Sequence, residues 1–262
     1  VAGAAITPGR DLAEALGATL VLMTAEPMIL WHEQLDRAQA YLEEQAAETG
    51  SPRVETLVIE DEARQQAILG QGEAAHSVVC MATHGRGGLG QAVLGSTAEG
   101  VLRASTRPIL LVGPGVDRSA RPIRDGNLVV AIDGSDASAT ILPTAADWVH
   151  WLGLRPWAVE VLTPPSGTAM EPDPAAEGAA VHHAAQTLRD RDGRGAQWEV
   201  LHGPDAADAL VAFAERLPAS LVAMGTHGRT GLARVTLGSV TMRVVRECSC
   251  PVLVQRAPGL QG

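Results

Sequence analysis

Gly225, Gly228, Gly238 and Ser239 follow the spacing Gly-x2-Gly-x9-Gly-Ser. Such a run can hold a phosphate group without any catalytic side chain. Glycines let the backbone approach closely or take φ > 0. A helix opening at Gly238-Ser239 adds N–H groups and the positive end of its dipole. The Ser239 hydroxyl either donates to a phosphate oxygen or caps that helix. The bland alternative is a tight strand-to-helix turn with nothing bound. Thr226-His227-Gly228-Arg229 fills the front of this loop, and Thr83-His84-Gly85-Arg86 repeats it. The chain has no lysine, so its 20 basic residues are all arginine. That removes the Walker-type phosphate loop, the kinase strand lysine and Schiff-base chemistry. A phosphate here has to rely on backbone N–H groups, a helix N-terminus, arginine or a metal ion.

Other reactive residues carry less. His182 and His183 are adjacent on a helix and diverge by about 100°, so they do not share a metal. Cys248 and Cys250 lack a second cysteine pair or a nearby histidine and read as surface or semi-buried thiols rather than zinc ligands. Trp148, Trp151 and Trp157 fit core or domain-interface packing better than base stacking. Arg243 and Arg246 read as the solvent face of a helix. His84 and His227 orient their loops or face a ligand; with no nucleophile beside them, neither is assigned a catalytic role. No catalytic residue and no metal site is assigned.

The elements that must position the loop come in two sets. Ala82 and Gly225 stand at the same place in a repeat (225 − 82 = 143), and 81–112 matches 224–255 at 14 of 32 aligned positions without a gap. A period of this length means two domains rather than a solenoid. In the second half, Leu128–Ile132 is a short apolar run typical of a parallel strand buried on both faces. The turn Asp133-Gly134-Ser135-Asp136 follows, then a helix to about Leu152. Strands are predicted at Pro156–Thr163, Gln197–His202, Ser220–Met224 and Pro251–Gln255. Helices are predicted to about Arg191, over Pro204–Arg216 and over 239–247. This alternation calls for a doubly wound parallel sheet. The first half predicts strands at Ala18–Thr24, Val54–Ile59, Ser77–Met81 and Pro108–Val112, with helices at 32–48 and Ala63–Ala74. The counterpart of Leu128–Asp133 would fall before Val1. The first domain therefore reads as N-terminally incomplete and weakly held, because that strand belongs mid-sheet. The expected division is 1–116, a charged linker 117–126, and 127–262.

Composition excludes several classes. The formal charge is −10 and the pI about 5.2, which leaves no basic face for nucleic acid or anionic lipid. No apolar run approaches a membrane span. Three cysteines make no disulfide framework, which points to a reducing cytoplasm.

The paired glycine loops, with Ile132-Asp133-Gly134-Ser135 after the first strand of the second half, resemble the universal stress protein family in tandem form. The resemblance covers the whole chain apart from the missing strand. It implies an α/β fold, two open doubly wound five-stranded parallel sheets related to the adenine-nucleotide α-hydrolases. It also implies a division into ATP-binding and non-binding members, set largely by this motif. Carried over by position, Asp133 meets the adenosine end and Leu162 lines the adenine pocket. Gly225, Thr226, His227, Gly228 and Arg229 surround the ribose and phosphates, and Gly238, Ser239 and Val240 hold the phosphate tail. Asp133 has a second reading as a helix N-cap or turn residue, and Asp136 could do that job too. Repeat one has Ala82 for the first glycine and no Asp-bearing strand, which leaves Thr83, His84, Gly85, Gly95 and Ser96 short of a complete site.

The function expected is an ATP-binding cytoplasmic stress-response or regulatory sensor, taking ATP with or without Mg2+, its repeats paired within the chain or in a homodimer. The alternatives are a non-binding interaction scaffold of the same fold and a slow nucleotide hydrolase. The hydrolase reading lacks the Ser-Gly-Gly-x-Asp-Ser loop, which Asp133-Gly134-Ser135-Asp136 does not match.

Overall fold

The computed structural model describes residues 2–26, 32–60, 64–72, 77–83, 94–116, 122–163, 178–189, 192–193, 195–226 and 237–257. The first half opens with a 3-10 turn at Ala2–Ala5. It continues α1 (Ile6–Leu16), β1 (Leu20–Glu26), α2 (His32–Thr49), β2 (Val54–Glu60), α3 (Arg64–Gly72), β3 (Val79–Ala82), α4 (Ser96–Ala104) and β4 (Ile109–Val112). The second runs β5 (Asn127–Ile132), α5 (Asp136–Ala139), α6 (Ile141–Leu152), β6 (Arg155–Leu162), α7 (Ala179–Thr187), β7 (Gln197–His202), α8 (Ala206–Arg216), β8 (Ala219–Gly225), α9 (Ser239–Glu247) and β9 (Val252–Gln255).

In the second half the five strands lie in the order β9-β8-β5-β6-β7, all parallel. Every residue of β8 is buried, as are Leu128 to Ile132 of β5, because helices cover both faces. Leu128, Val130 and Ile132 pack with Ile141 and Trp148 of α6 and Val181 of α7. Val129, Ala131 and Met224 pack with Leu210 and Phe213 of α8 and Val244 of α9. Period-two alternation thus feeds two apolar layers from one strand, which is why these strands read as unbroken hydrophobic runs.

The first half is divided. β3 and β4 pair in parallel, and β4 then pairs antiparallel with β9 through Ile109↔Val254, Leu110↔Leu253 and Leu111↔Val252. One seven-stranded sheet therefore runs β3-β4-β9-β8-β5-β6-β7 through both repeats. β1 and β2 form a separate parallel pair, from Leu20↔Val54 to Glu26↔Glu60. Among the described residues no strand links β1 to β3, the place where the second half holds β5. With the first strand of repeat one missing, as expected, the described strands form one continuous seven-stranded sheet and a detached pair.

Several local expectations are corrected. The helix expected from 136 to Leu152 breaks after Ala139: Pro143 has no N–H to bond the Ala139 carbonyl four residues back, and α6 starts anew at Ile141. α8 does not include Pro204. Asp205 caps it, its Oδ1 accepting from the N–H groups of Ala207 (2.9 Å) and Asp208 (3.0 Å). α7 ends at Thr187, where Leu188 turns extended and is fully buried. The charged segment 117–126 hides an anchor. Ile123 is buried among Leu128 and Trp148, while 117–121 lie outside the described residues.

Asp205 also receives Arg243 of α9, whose guanidinium donates to its Oδ2 at 2.5 Å and reaches Asp208 as well. Donation from the Asp208 N–H, with the Arg243 charge beside it, holds the Asp205 carboxyl below its ordinary range. A carboxyl depressed in the folded state stabilises above its unfolded pKa, and that contribution is lost as pH falls through the folded value. Asp205→Ala is therefore expected to lower the urea midpoint at pH 7. The gap to the parent should close as pH drops below the carboxylate range. A constant gap from pH 7 to pH 2 would show that the charge contributes nothing.

Candidate functional site

Strand order reverses at β5: β6 and β7 lie on one side, β8 and β9 on the other. In open α/β sheets ligands bind outside the carboxyl ends of strands at such a point. Asp133 stands at the end of β5. Its Oδ1 accepts from the Ser135 N–H (3.0 Å) and from the Ser135 hydroxyl (2.6 Å). Gly134 sits at φ 79°, a conformation that calls for glycine. Ser135, rather than Asp133 or Asp136, is the N-cap of α5, its hydroxyl accepting from the Ser138 N–H at 3.2 Å. The two readings of Asp133 are thus narrowed: it braces the turn and does not cap the helix.

Across β5, Gly225 ends β8 and Thr226 follows, 2% exposed. The Thr226 N–H donates to the Gln255 carbonyl (2.9 Å), and its own carbonyl accepts from the Gly238 N–H (2.8 Å). The Thr241 hydroxyl donates to the Gly225 carbonyl at 2.9 Å. Both ends of the intervening loop are therefore fastened at one place. His227, Gly228 and Arg229 belong to 227–236, outside the described residues. Repeat one is fastened the same way. Thr83 donates to the Val112 carbonyl (3.0 Å) and Gly95 donates to the Thr83 carbonyl (2.8 Å); His84 and Gly85 also lie outside the described residues.

Gly238 has φ −56° and ψ 149°, extended backbone open to any residue. The motif's last glycine is not required by a positive φ. It takes the N-cap position of α9 with no side chain capping the helix. Ser239 is exposed in the first turn and does not cap. The opening N–H groups of α9 and the Ser239 hydroxyl thus share one end of the crevice with the Asp133 turn.

Leu162 pairs with His202, as Glu160 pairs with Val200, and Val200 packs in the α6–α7 layer. Leu162 therefore belongs to that layer. Val161 belongs to the other, packed with Met224 and Leu237, where Val240 of α9 also packs. Period-two counting along β6 from Trp157 places Val161 on this face. Sequence reading passed over Glu160, a carboxylate only 4% exposed beside Ile132.

The remaining candidates are placed elsewhere. Cys248 and Cys250 are core residues, 1% and 4% exposed, which corrects their reading as surface or semi-buried thiols. Trp148 is buried and Trp157 makes an edge contact with Phe213 at 5.7 Å, while Trp151 is half exposed. His182 lies edge-on to Trp198 at 5.5 Å. Arg243 faces acids of α8 rather than open solvent, and Arg246 pairs with Glu247. Among the described residues no cluster of three His, Cys, Asp or Glu could hold a metal. No described helix is long and apolar enough to cross a membrane.

The family model for universal stress proteins matches this chain twice, over residues 4–113 and 126–256. The chain belongs to the universal stress protein family. A universal stress protein of Mycolicibacterium smegmatis is 29% identical over 228 residues, covering 85% of this chain and 75% of the relative. One of Methanocaldococcus jannaschii is 50% identical over 60 residues, only 23% of this chain and 35% of its own length. The solved universal stress protein of Archaeoglobus fulgidus superposes with a TM-score of 0.68 at 18% identity, over 96% of this chain and 92% of that one. At that identity the likeness speaks for the fold: tandem universal stress protein domains built on α/β sheets.

Proposed function

We propose that this tandem universal stress protein binds adenine nucleotide, ATP with or without Mg2+, at its second repeat, and that it acts as a cytoplasmic regulatory sensor rather than an enzyme. The observation that carries the reading is the fastening of the Gly225–Gly238 loop beside the Asp133 turn, where strand order reverses. Asp133 would take the adenosine end, with Val161 joining Leu162 as a candidate for the adenine pocket. Thr226, His227, Gly228 and Arg229 would enclose the ribose and phosphates. The N–H groups opening α9 at Ser239 and Val240, with Gly238 before them, suit an anionic tail. The donor set fits phosphate without lysine. Three free thiols suit a reducing compartment. The functional units proposed are 1–116 and 127–262.

The two repeats should differ. Residues 1–126 contain no counterpart of the Asp133 turn, so Thr83, Gly95 and Ser96 close a loop without a partner for the base. Calorimetric titration with ATP is expected to give one site per chain. Two equal sites would overturn the asymmetry, and absence of binding would favour the scaffold reading.

A further inference from the structure

Two buried hydroxyls fasten the two sides of the crevice at the carboxyl ends of β5 and β8. Ser138 and Thr241 are each the third residue of a helix, α5 and α9, and are 5% and 3% exposed. The Thr241 hydroxyl donates to the Gly225 carbonyl at 2.9 Å, sixteen residues back, and so is not spent on a carbonyl of its own helix. The Gly238 N–H holds the next carbonyl, that of Thr226, at 2.8 Å. Two consecutive carbonyls at the end of β8 are thus tied to the start of α9, which fixes that turn against the strand.

Ser138 works on the other side. Its hydroxyl accepts from the Asp133 N–H at 3.2 Å and donates to the Ser135 carbonyl at 2.9 Å. The Ser135 hydroxyl in turn accepts from the Ser138 N–H at 3.2 Å and donates to Asp133 Oδ1 at 2.6 Å. This ring of bonds holds Asp133 by its backbone and by its carboxylate together.

Packing alone asks for neither hydroxyl. Alanine is the better helix former and has no polar group to bury. Repeat one carries that change: Ala98 stands at the place of Thr241 (241 − 143 = 98), third in α4 and 2% exposed. There the Gly95 N–H still bonds the Thr83 carbonyl, so the loop is fastened without a hydroxyl at that position. The bond from Thr241 therefore adds alignment rather than closure. N–H groups already aligned lose less on meeting a ligand than groups that must first be ordered.

We propose that Thr241 and Ser138 are positioning residues with separate tasks. Thr241 aligns the opening turn of α9 for the phosphate tail, and Ser138 aligns Asp133 for the adenosine end. Both act through groups other than their own, and both roles rest on the nucleotide reading given under Proposed function.

Calorimetric titration of the 262-residue chain with ATP and with adenosine separates the two tasks. Thr241→Val keeps the shape and removes the hydroxyl. It is expected to lower ATP affinity about tenfold while adenosine binds as it does to the parent, and Thr241→Ser should restore ATP binding. Ser138→Ala is expected to weaken both ligands by a similar factor, since ATP carries the adenosine end too. Placed on Asp133→Ala, the same Ser138→Ala change should cost nothing further. Thermal unfolding beside each titration shows which variants are folded, and Thr241→Ala or Ser138→Cys replaces any that is not. Equal losses of ATP and adenosine on Thr241→Val, or no rescue by serine, would overturn the task of Thr241. Additive losses in the Asp133→Ala background would overturn that of Ser138, as would a parent that binds ATP but no adenosine. Variants that all match an ATP-binding parent would remove the positioning roles alone. A parent that binds neither ligand would remove the nucleotide reading, and these roles with it.

Discussion

Gly238→Val is expected to cut nucleotide affinity at the proposed site of the second repeat sharply while leaving the fold almost untouched. The backbone at 238, at φ −56° and ψ 149°, accepts a β-branched residue without strain. The Gly238 N–H keeps its bond to the Thr226 carbonyl. What changes is the space over the first turn of α9, where a branched side chain would stand between the N–H groups and an arriving phosphate. Losing two charge-assisted bonds of this kind costs about 3 kcal/mol, a fall in affinity of roughly a hundredfold. Calorimetry reads the loss and thermal unfolding shows whether the fold is kept. ATP binding like the parent's would reduce the glycine to a turn residue.

Gly113→Val is expected to have the largest effect on stability. After β4 the chain passes beneath the C-terminal end of α9. A Cβ at 113 would lie 2.9 Å from the Val245 carbonyl carbon and closer still to its oxygen, and one at 115 would lie 2.8 Å from the Cys248 carbonyl oxygen. These are backbone atoms of a packed helix and of the residue that ends it, so no rotamer change relieves them. Overpacking against a rigid partner costs about 3 kcal/mol or more, which for a chain of this size lowers the melting temperature by roughly 6–12 °C. Gly70→Ala is the control: a Cβ there meets nothing within 4 Å, it lies within α3, and the change should be neutral or stabilising by up to about 1 kcal/mol. If Gly113→Val melted with the parent, the 113–116 segment would not be seated under α9.

The parts of the fold legible in the sequence are those written in short-range pattern. Unbroken apolar runs such as Leu128–Ile132 announced buried parallel strands, and the recurring glycine spacing announced both loops. The absence of a match for Leu128–Asp133 in residues 1–126 foretold the separation of β1 from β3. What escaped depended on contacts distant in sequence or on single atoms. Nothing local says that β4 pairs antiparallel with β9, since the paired residues of both strands are apolar and either edge would serve. Pro143 broke a helix that periodicity had carried through. Ile123 looked like part of a charged linker because one anchoring residue leaves no periodicity. At the candidate site, Asp133, Gly225 and Gly238 fall at the crevice by strand order alone, whereas assigning Val161 and Leu162 to their layers requires knowing which helices cover each face of β6. Of the two roles open to the glycine at 238, close approach or a positive φ, the backbone does not ask for the second.

The antiparallel ladder between β4 and β9 joins halves that are already tied by a short stretch of chain. Separate subunits meeting through such an edge would come apart on dilution. Here the local concentration of one edge around the other is set by the tether and does not fall with the amount of protein present. A symmetric pair of identical subunits must also carry every substitution twice. In this chain a change at Thr83 leaves Thr226 as it was. Under the proposed function, one half is therefore free to drift away from ligand recognition and serve as a permanent partner, while the other keeps the constraint of the proposed binding site.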